Sequence, residues 1–470
     1  MKSILRVLKN KQIMKSIAWT LAILIFYRMM SYITLPFINS KAMVSMASNK
    51  FVSLLNLFSG GGLQNFSIMS LGVSPFITAQ IIVQLSSMDV VKTTTEWSKQ
   101  GDVGRQKLNQ LTRKLTLVFA ALQSVGVTYG LNTLSQMKLV KTPNLTVYCT
   151  LAVIMATGVF ISTWLADLIS EFGVGNGVSM IILGGIVSKL PSAWNSTYLF
   201  LKTSLKLNVK STKLPAVLSK LFSFKYPIVS GITILLIIGV VLLLAFIVWF
   251  SESERRVPIQ YSRREMDTSD TAYLPLRINI SGVVPVIFAS SLITFPQTIL
   301  MGMQKAQGSH KWFKIMNNVF SLNTIWGICL YTMLIVAFTF FYAYIQVNPE
   351  RLSESLIKSG AYVIGVAPGE DTEEHFREVI SELNYPGALF LGGISLIPLL
   401  LSIKFGIGGI FGIGGSSLLI ITGVLMDVVR QIKGFTINNS YIGFKNNEAA
   451  VKGESDQFVK EMGERYVQDI

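Results

Sequence analysis

Ten stretches of this chain are apolar over about the length that a helix needs to cross a lipid bilayer: 16–37, 72–91, 114–134, 145–169, 177–191, 227–250, 279–301, 324–346, 386–403 and 411–431. Such a crossing takes about 20 largely apolar residues. In hydrocarbon every backbone polar group has to be paired, so segments of this kind must be helical. The composition agrees: 14% of the residues are charged and 51% hydrophobic, against roughly 25% charged in soluble domains. The pattern predicts an all-α integral membrane protein with ten transmembrane helices. The first span follows MKSILRVLKNKQIMK, which is basic and amphipathic. No small-residue cleavage site follows it, so it reads as a retained anchor rather than a signal peptide. Cys149 and Cys329 fall inside spans and read as small core residues, not as a disulfide framework.

An even number of spans puts both termini on one side. All 25 acidic residues fall on that side or in spans near it, as do twelve of the 13 arginines, Arg28 in the first span being the exception. The opposite loops carry 15 lysines and neither an acid nor an arginine. Lys and Arg therefore divide 25 to 15 in favour of the termini, which predicts a cytoplasmic location for both ends. The net charge of +16 nonetheless lies almost wholly on the other face. Seven of its lysines crowd residues 189–225. That loop reads either as a solvated connection or as a site of attraction to an anionic wall polymer or lipid.

The chain also repeats itself. Residues 72–79 read GVSPFITA and residues 282–289 read GVVPVIFA, a shared G-V-x-P-x-I-x-A frame at an offset of 210. A looser pair is GVGNGVSMIILGG at 173–185 and GIGGSSLLIITGV at 412–424. The pairs fall in spans two and seven, then five and ten, so the chain divides into two five-span halves. An odd number of spans per half makes the halves inverted relative to each other. The predicted organisation is a 1–15 cytoplasmic segment, a 16–191 half, a 192–226 Lys-rich external loop, a 227–431 half and a 432–470 cytoplasmic tail.

Between the first two spans lies FSGGGLQNFSIMSLGVSP, 58–75, too broken for a helix and too apolar for an ordinary loop. Irregular backbone at membrane depth is tolerated where protein buries it or water reaches it. The stretch therefore belongs on the bundle axis, either closing a cavity or as a re-entrant packing element. Around the same axis the repeated segments aim Val73, Ile77, Val178, Ile182, Ile287 and Ile420 inward. Branched aliphatic side chains there exclude water and ions without directional bonds; ordinary interhelical packing is the plainer reading. Much chemistry is missing. There is no G-x-x-x-x-G-K-[ST] and no HExxH, and the two histidines, His310 and His375, fall on opposite sides. Asp89, Asp167, Glu171 and Asp427 sit near span ends, which disfavours an ion-coupled small-solute carrier. No catalytic residue, metal ligand or cofactor is expected. Two cytoplasmic loops stand out, 251–277 and the 37-residue 348–384. Arg255, Arg256, Arg263 and Arg264 in the first either fix topology or dock an acidic partner.

Several segments together carry a family resemblance: LNLFSGGGLQNFSIMSLGVSPFITAQIIVQL (55–85), GDVGRQKLNQLTRK (101–114), EFGVGNGVSMIILGGIV (171–187), ERRVPIQYSRR (254–264), LPLRINISGVVPVIFASSLITFP (274–296) and GGSSLLIITGVLMDVVRQI (414–432). Over about residues 15–435 the chain resembles the SecY family, the channel subunit of the bacterial Sec protein translocase. The resemblance implies a central pore passing unfolded secretory proteins across the cytoplasmic membrane and releasing membrane segments sideways into lipid. It implies a half-helical plug over 56–71, with Gly60, Gly61, Gly62, Leu63 and Phe66 in it, and a pore ring of the six aliphatic residues. It implies a lateral gate between spans two and seven, with Thr78 and Phe295 at matching positions. Partners implied are small SecE-like and SecG-like membrane subunits, a SecA-type motor ATPase or the ribosome at the arginine-rich loop, and secretory precursor polypeptides. The chain departs from the family pattern in two places. IGVAPG stands where P-G-I-R-P-G is usual, which puts Ala367 at the family's motor-coupling arginine, and TLPFINS replaces P-x-P-G after span one. The first span is similar to that of accessory SecY paralogues from Gram-positive bacteria, which export a few cell-wall glycoproteins, so a dedicated accessory channel is the alternative.

Overall fold

The computed structural model describes residues 11–39, 59, 62–88, 90–134, 139–140, 144–188, 191, 227–261, 272–307, 310–322, 324–405 and 417–435. A helix runs through each of the ten expected spans. These are α1 (Lys11–Met30), α2 (Ser74–Ser86), α4 (Asp102–Leu134), α5 (Leu145–Phe172), α6 (Gly177–Ser188), α7 (Pro227–Glu252), α8 (Val284–Gln307), α10 (Ile325–Gln346), α12 (Glu370–Phe405) and α13 (417–435). Three shorter helices lie between them: α3 (Lys92–Lys99), α9 (Lys311–Phe320) and α11 (Pro349–Lys358). Large apolar side chains such as Leu21, Ile25, Leu122, Val153, Trp164, Leu242 and Met333 point out of the bundle. In water this would be a broad adhesive surface; on spanning helices it is the lipid-facing side. Cys149 and Cys329 are on that side too, not in the core, because each sits in the outward-facing first turns of its helix.

Helix lengths depart from the apolar stretches in an informative way. α1 stops at Met30 rather than running to residue 37. Phe37 is left-handed (φ 63°), and Thr34 and Ile38 form bridges to Ser67 and Val140. α2 has only 13 residues, about 20 Å of helix, short of a bilayer's hydrocarbon core of about 30 Å. α4 and α12 instead overrun it. The 36 residues of α12 span about 54 Å, so its first turns stand outside the membrane.

Those turns belong to a small folded unit that the sequence does not announce. β1 (Glu254–Tyr261) pairs antiparallel with β2 (Ala272–Arg277), Glu254 opposite Arg277, and on its other edge with β3 (Ala361–Val363), Ile259 opposite Val363. The 348–384 segment is thus structured rather than a loop. Asn348 caps α11 by accepting from the Glu350 and Arg351 amides (3.0 and 3.3 Å), and Pro349 supplies its first turn. Val257, Ile259 and Leu276 from the sheet, Leu356 from α11 and Phe376, Val379 and Leu383 from α12 share one apolar core. Two segments separated by two spans are therefore one unit at the end of the bundle, a small sheet added to an otherwise helical fold.

Candidate functional site

The repeated frame has one structural meaning in both halves. Gly72 (φ 55°) and Gly282 (φ 62°) are both left-handed, a conformation that costs a side-chain-bearing residue but not glycine. One valine follows each, and the next residue begins a helix whose second position is Pro75 or Pro285, where a missing amide costs nothing. The first helical bonds then match: Ile77 N–H donates to the Val73 carbonyl (3.1 Å), Ile287 N–H to the Val283 carbonyl (3.4 Å). Ala79 and Ala289, two residues on, are both fully buried. Glycine, proline and isoleucine are therefore set to start a helix at depth and to place one isoleucine on its first turn.

Those isoleucines belong to one core. Val73 and Ile77 of the α2 start, Ile182 of α6, Ile287 of α8 and Ile420 of α13 are buried in one apolar cluster, with Val178 of α6 packed at its edge. That cluster is the main core of the bundle and holds many other apolar residues, among them Tyr27, Ile247, Phe338 and Phe390. Among the described residues, two ion pairs lie around the core, and one of them, Asp427 with Arg430, borders a small cavity lined also by Gly282, Val283 and Leu419. Arg113 of α4 pairs with Asp167 of α5 at 3.0 Å, and Arg430 of α13 pairs with Asp427 at 3.5 Å while donating to the Ser251 carbonyl at the end of α7. Arg28 stacks over the Tyr32 ring at 5.0 Å just beyond the end of its helix.

Of the expected plug, Gly60 and Gly61 lie outside the described residues. Residues 62–71 hold a single 3-10 turn, Leu63–Asn65, closed by left-handed Phe66, instead of half a helix. Leu63, Phe66 and Leu71 are buried, but in a second cluster with Val127, Leu131, Leu139, Leu151 and Met155, whereas Met69 joins the first. What holds the segment was not foreseen. Ile68 N–H donates to the Ile33 carbonyl (3.2 Å) and Leu35 N–H to the Phe66 carbonyl (2.9 Å), so the chain after α1 and the plug segment form a short paired strip. Tyr27 Oη, buried in α1, donates to the Ser59 carbonyl at 2.9 Å. Gly158 of α5 lets the strip come close, since a Cβ there would stand 1.9 Å from the Ile68 carbonyl oxygen. Gly62 does the same inside the strip, where a Cβ would meet the Met69 carbonyl oxygen at 2.6 Å.

Thr78 and Phe295, the expected gate positions, have separate partners. Thr78 is fully buried and donates to the Ser74 carbonyl of its own helix at 3.2 Å. Phe295 of α8 meets Phe119 of α4 edge-on, with 5.0 Å between ring centroids. The seam continues along both helices. Gly126 faces Thr298, and a Cβ on Gly130 would stand 2.8 Å from Met301 Cγ and 3.1 Å from the Gly302 nitrogen. Small residues here bring two helix backbones together, as in glycine-mediated membrane packing. Gln123 lies on the same stripe of α4, fully buried, with neither amide atom hydrogen-bonded among the described residues; Ser291 Oγ, one turn before Phe295, is likewise buried and without a partner among them. Unpaired buried polar atoms cost about 1–3 kcal/mol each, so this seam is tight in shape yet weak in energy.

Of the four arginines, Arg263 and Arg264 lie outside the described residues. Arg255 shares a strand face with Val257 and Ile259 and pairs with Glu382 of α12 at 2.5 Å. Arg256 points the other way and pairs with Glu254 at 3.1 Å. Both are exposed, and so is Ala367, in the turn between β3 and α12.

Known proteins share this fold. The SecY family model matches residues 67–429. Protein translocase subunit SecY 1 of Lactobacillus kefiranofaciens subsp. kefiranofaciens is 45% identical over 436 residues, covering 93% of this chain and 97% of that protein. Among solved structures, one described as a protein conducting channel superposes with a TM-score of 0.61 at 15% identity, covering 90% of this chain and 92% of that one. Sec61 in the canine ribosome-channel complex from the endoplasmic reticulum gives 0.57 at 15% identity, covering 90% and 92%. At that identity the structures speak for the fold, and the sequence matches speak for the family: the chain belongs to the SecY family.

Proposed function

We propose that this chain is the central subunit of a protein-conducting channel in the cytoplasmic membrane of a bacterium, with both termini in the cytoplasm. One observation carries the reading: four helices from both halves deliver six aliphatic side chains to a single cluster. The segment read as the plug contributes Met69 to that cluster and Leu63, Phe66 and Leu71 to the second one. Val73, Ile77, Val178, Ile182, Ile287 and Ile420 form the constriction. Its walls make no directional bonds, so it widens around any side chain and reseals by apolar contact. Residues 56–71 are the plug, and the lateral exit for apolar segments lies between α2 and α8, spans two and seven, with Thr78 and Phe295 on its two sides; the α4/α8 seam packs the neighbouring span three against α8. The folded unit of β1, β2, β3, α11 and the start of α12 is where a motor or ribosome docks, and the work of transport comes from that partner. Small SecE-like and SecG-like subunits complete the assembly.

Ala367 favours a second reading, an accessory channel with its own motor, because it leaves an exposed turn without the arginine that the family uses for coupling. A photo-crosslinker at Ile287, offered a stalled secretory precursor and the housekeeping motor, tests both. A crosslink to the mature part of the precursor places Ile287 in the constriction of a general export channel. Its absence at Ile287, Ile77 and Ile420 alike moves the assignment to the accessory system, and failure with an accessory motor and glycoprotein as well overturns the channel reading.

A further inference from the structure

α9 is not needed to connect α8 to α10, yet it has a defined and unusual surface. Phe313 and Phe320, one stripe, turn inward, Phe313 buried and Phe320 half-buried, and the helix rests on α8 and α10. A second stripe, Trp312, Ile315 and Met316, faces away from the protein, with half-buried Val319 at its edge: Trp312 is 45% exposed, Ile315 60% and Met316 43%. The apolar arc is thus about twice as wide as the part the protein covers. Opposite it lie Lys311, Lys314, Asn317 and Asn318, all exposed. Just beyond, the first turn of α10 exposes Ile325 and Trp326, 76% and 72%. The position restricts what can cover this face. α8 starts beside the sheet and α9 follows its far end, so α9 lies where two spans leave the membrane, opposite the sheet. Tryptophan beside lysine at that depth is the pattern of an interfacial helix, apolar face in the acyl boundary and charged face among headgroups. The 302–323 segment has no acidic residue, so its field attracts anions.

We infer that α9 is a membrane-seated helix that lies in the lipid interface at the far end of α8 and selects anionic headgroups through Lys311 and Lys314. This rests on the spanning reading of α8 and α10, not on transport. Because α9 is tied to the end of α8 that carries Met301 and Gly302, its seat also fixes the outer end of the α4/α8 seam.

The test uses full-length protein with Cys149 and Cys329 replaced by serine, reconstituted in phosphatidylcholine bilayers with or without phosphatidylglycerol. A nitroxide is placed by Ile315→Cys or Lys314→Cys, with Met333→Cys as a lipid-facing reference. Collision with oxygen and with a water-soluble nickel chelate reads depth. The expected result is an Ile315 label that is oxygen-accessible and nickel-protected like the Met333 label, and a Lys314 label open to nickel. Phosphatidylglycerol deepens the Ile315 label, and Lys311→Gln with Lys314→Gln removes that shift. Equal nickel access at 315 and 314 puts the helix in water and overturns the proposal. Protection of 315 from both reagents means that protein covers it, which also overturns it. The same depth with and without phosphatidylglycerol overturns the headgroup selectivity. Because no transport is measured, a failed channel assignment leaves each outcome readable.

Discussion

Single side chains set how firmly the plug segment is held. The Tyr27–Ser59 bond is buried and crosses from α1 to the segment. Tyr27→Phe keeps the ring and removes the hydroxyl, which costs about 0.5–1.5 kcal/mol and leaves the Ser59 carbonyl with the Gly62 N–H (3.0 Å) but without this tie to α1. The expected outcome is normal insertion with a several-fold higher ion leak in reconstituted liposomes; an unchanged leak means that the bond does not hold the closed state. Gly158→Ala acts harder. Its Cβ would clash with the Ile68 carbonyl, and overpacking of this kind costs about 1–3 kcal/mol. Lower thermal stability together with greater leak is expected from that variant. Neither residue was legible in the sequence. A tyrosine and a glycine inside apolar runs look alike whether they face lipid or a neighbour, and the Ser59 partner is 32 positions away. The helix start at Ser74 was legible because Gly72 and Pro75 fix where it begins, and the second copy at 282–289 repeats the same constraint. The cysteines were misread for the opposite reason: small size and an apolar setting do not tell the lipid side of a helix from its core side.

Between elements, the α4/α8 seam and the three-stranded sheet are the two contacts on which the proposed function can be tested. The seam is held by Gly126, Gly130 and Gly302 and weakened by Gln123 and Ser291. Gly130→Val would push the backbones apart, and the expected consequence is relaxed stringency, so that precursors with weakened signal sequences are exported. Gln123→Leu acts in the reverse direction by removing two unpaired amide atoms, and tighter stringency is expected in the same export assay. At the sheet, the strand alternation separates two neighbouring arginines. Arg255→Ala loses a surface pair worth about 0.2–1 kcal/mol and should shift the protease sensitivity of the unit more than motor-stimulated transport. Arg256→Ala, on the outer face, should do the converse, with a weaker salt dependence of docking. The ten helices were legible because apolar runs of that length permit nothing else. The sheet was not: β3 has three residues, and it pairs with a strand about 100 positions earlier, so no local pattern announces it. α12 was placed only in its apolar half, because its first turns are polar outside and contribute Phe376, Val379 and Leu383 to a core assembled from elsewhere.

For the whole molecule, the orientation follows from charge, and it is testable with the lysines. All seven lysines of 189–225 lie on the face predicted to be external. A membrane-impermeant amine reagent should modify them in intact cells and spare Lys358, which pairs with Glu354 on α11; labelling of Lys358 in sealed cells would invert the topology. The inverted halves were legible through the repeated frame, and the structure adds that the two copies start their helices with the same left-handed glycine. That shared start has a mechanical consequence. Of the proposed constriction residues, Val73 at the cap of α2 and Ile77 within it are one helical turn apart, as are Val178 and Ile182 on α6, so the proposed aliphatic band is about 6 Å tall. An extended polypeptide advances about 3.3 Å per residue, and only about two of its residues touch the band at any moment. Drag on a chain in transit is therefore set by the pair of side chains in the band and not by the length of the chain. A motor pulling or pushing through it meets the same small, fluctuating resistance from the first residue to the last.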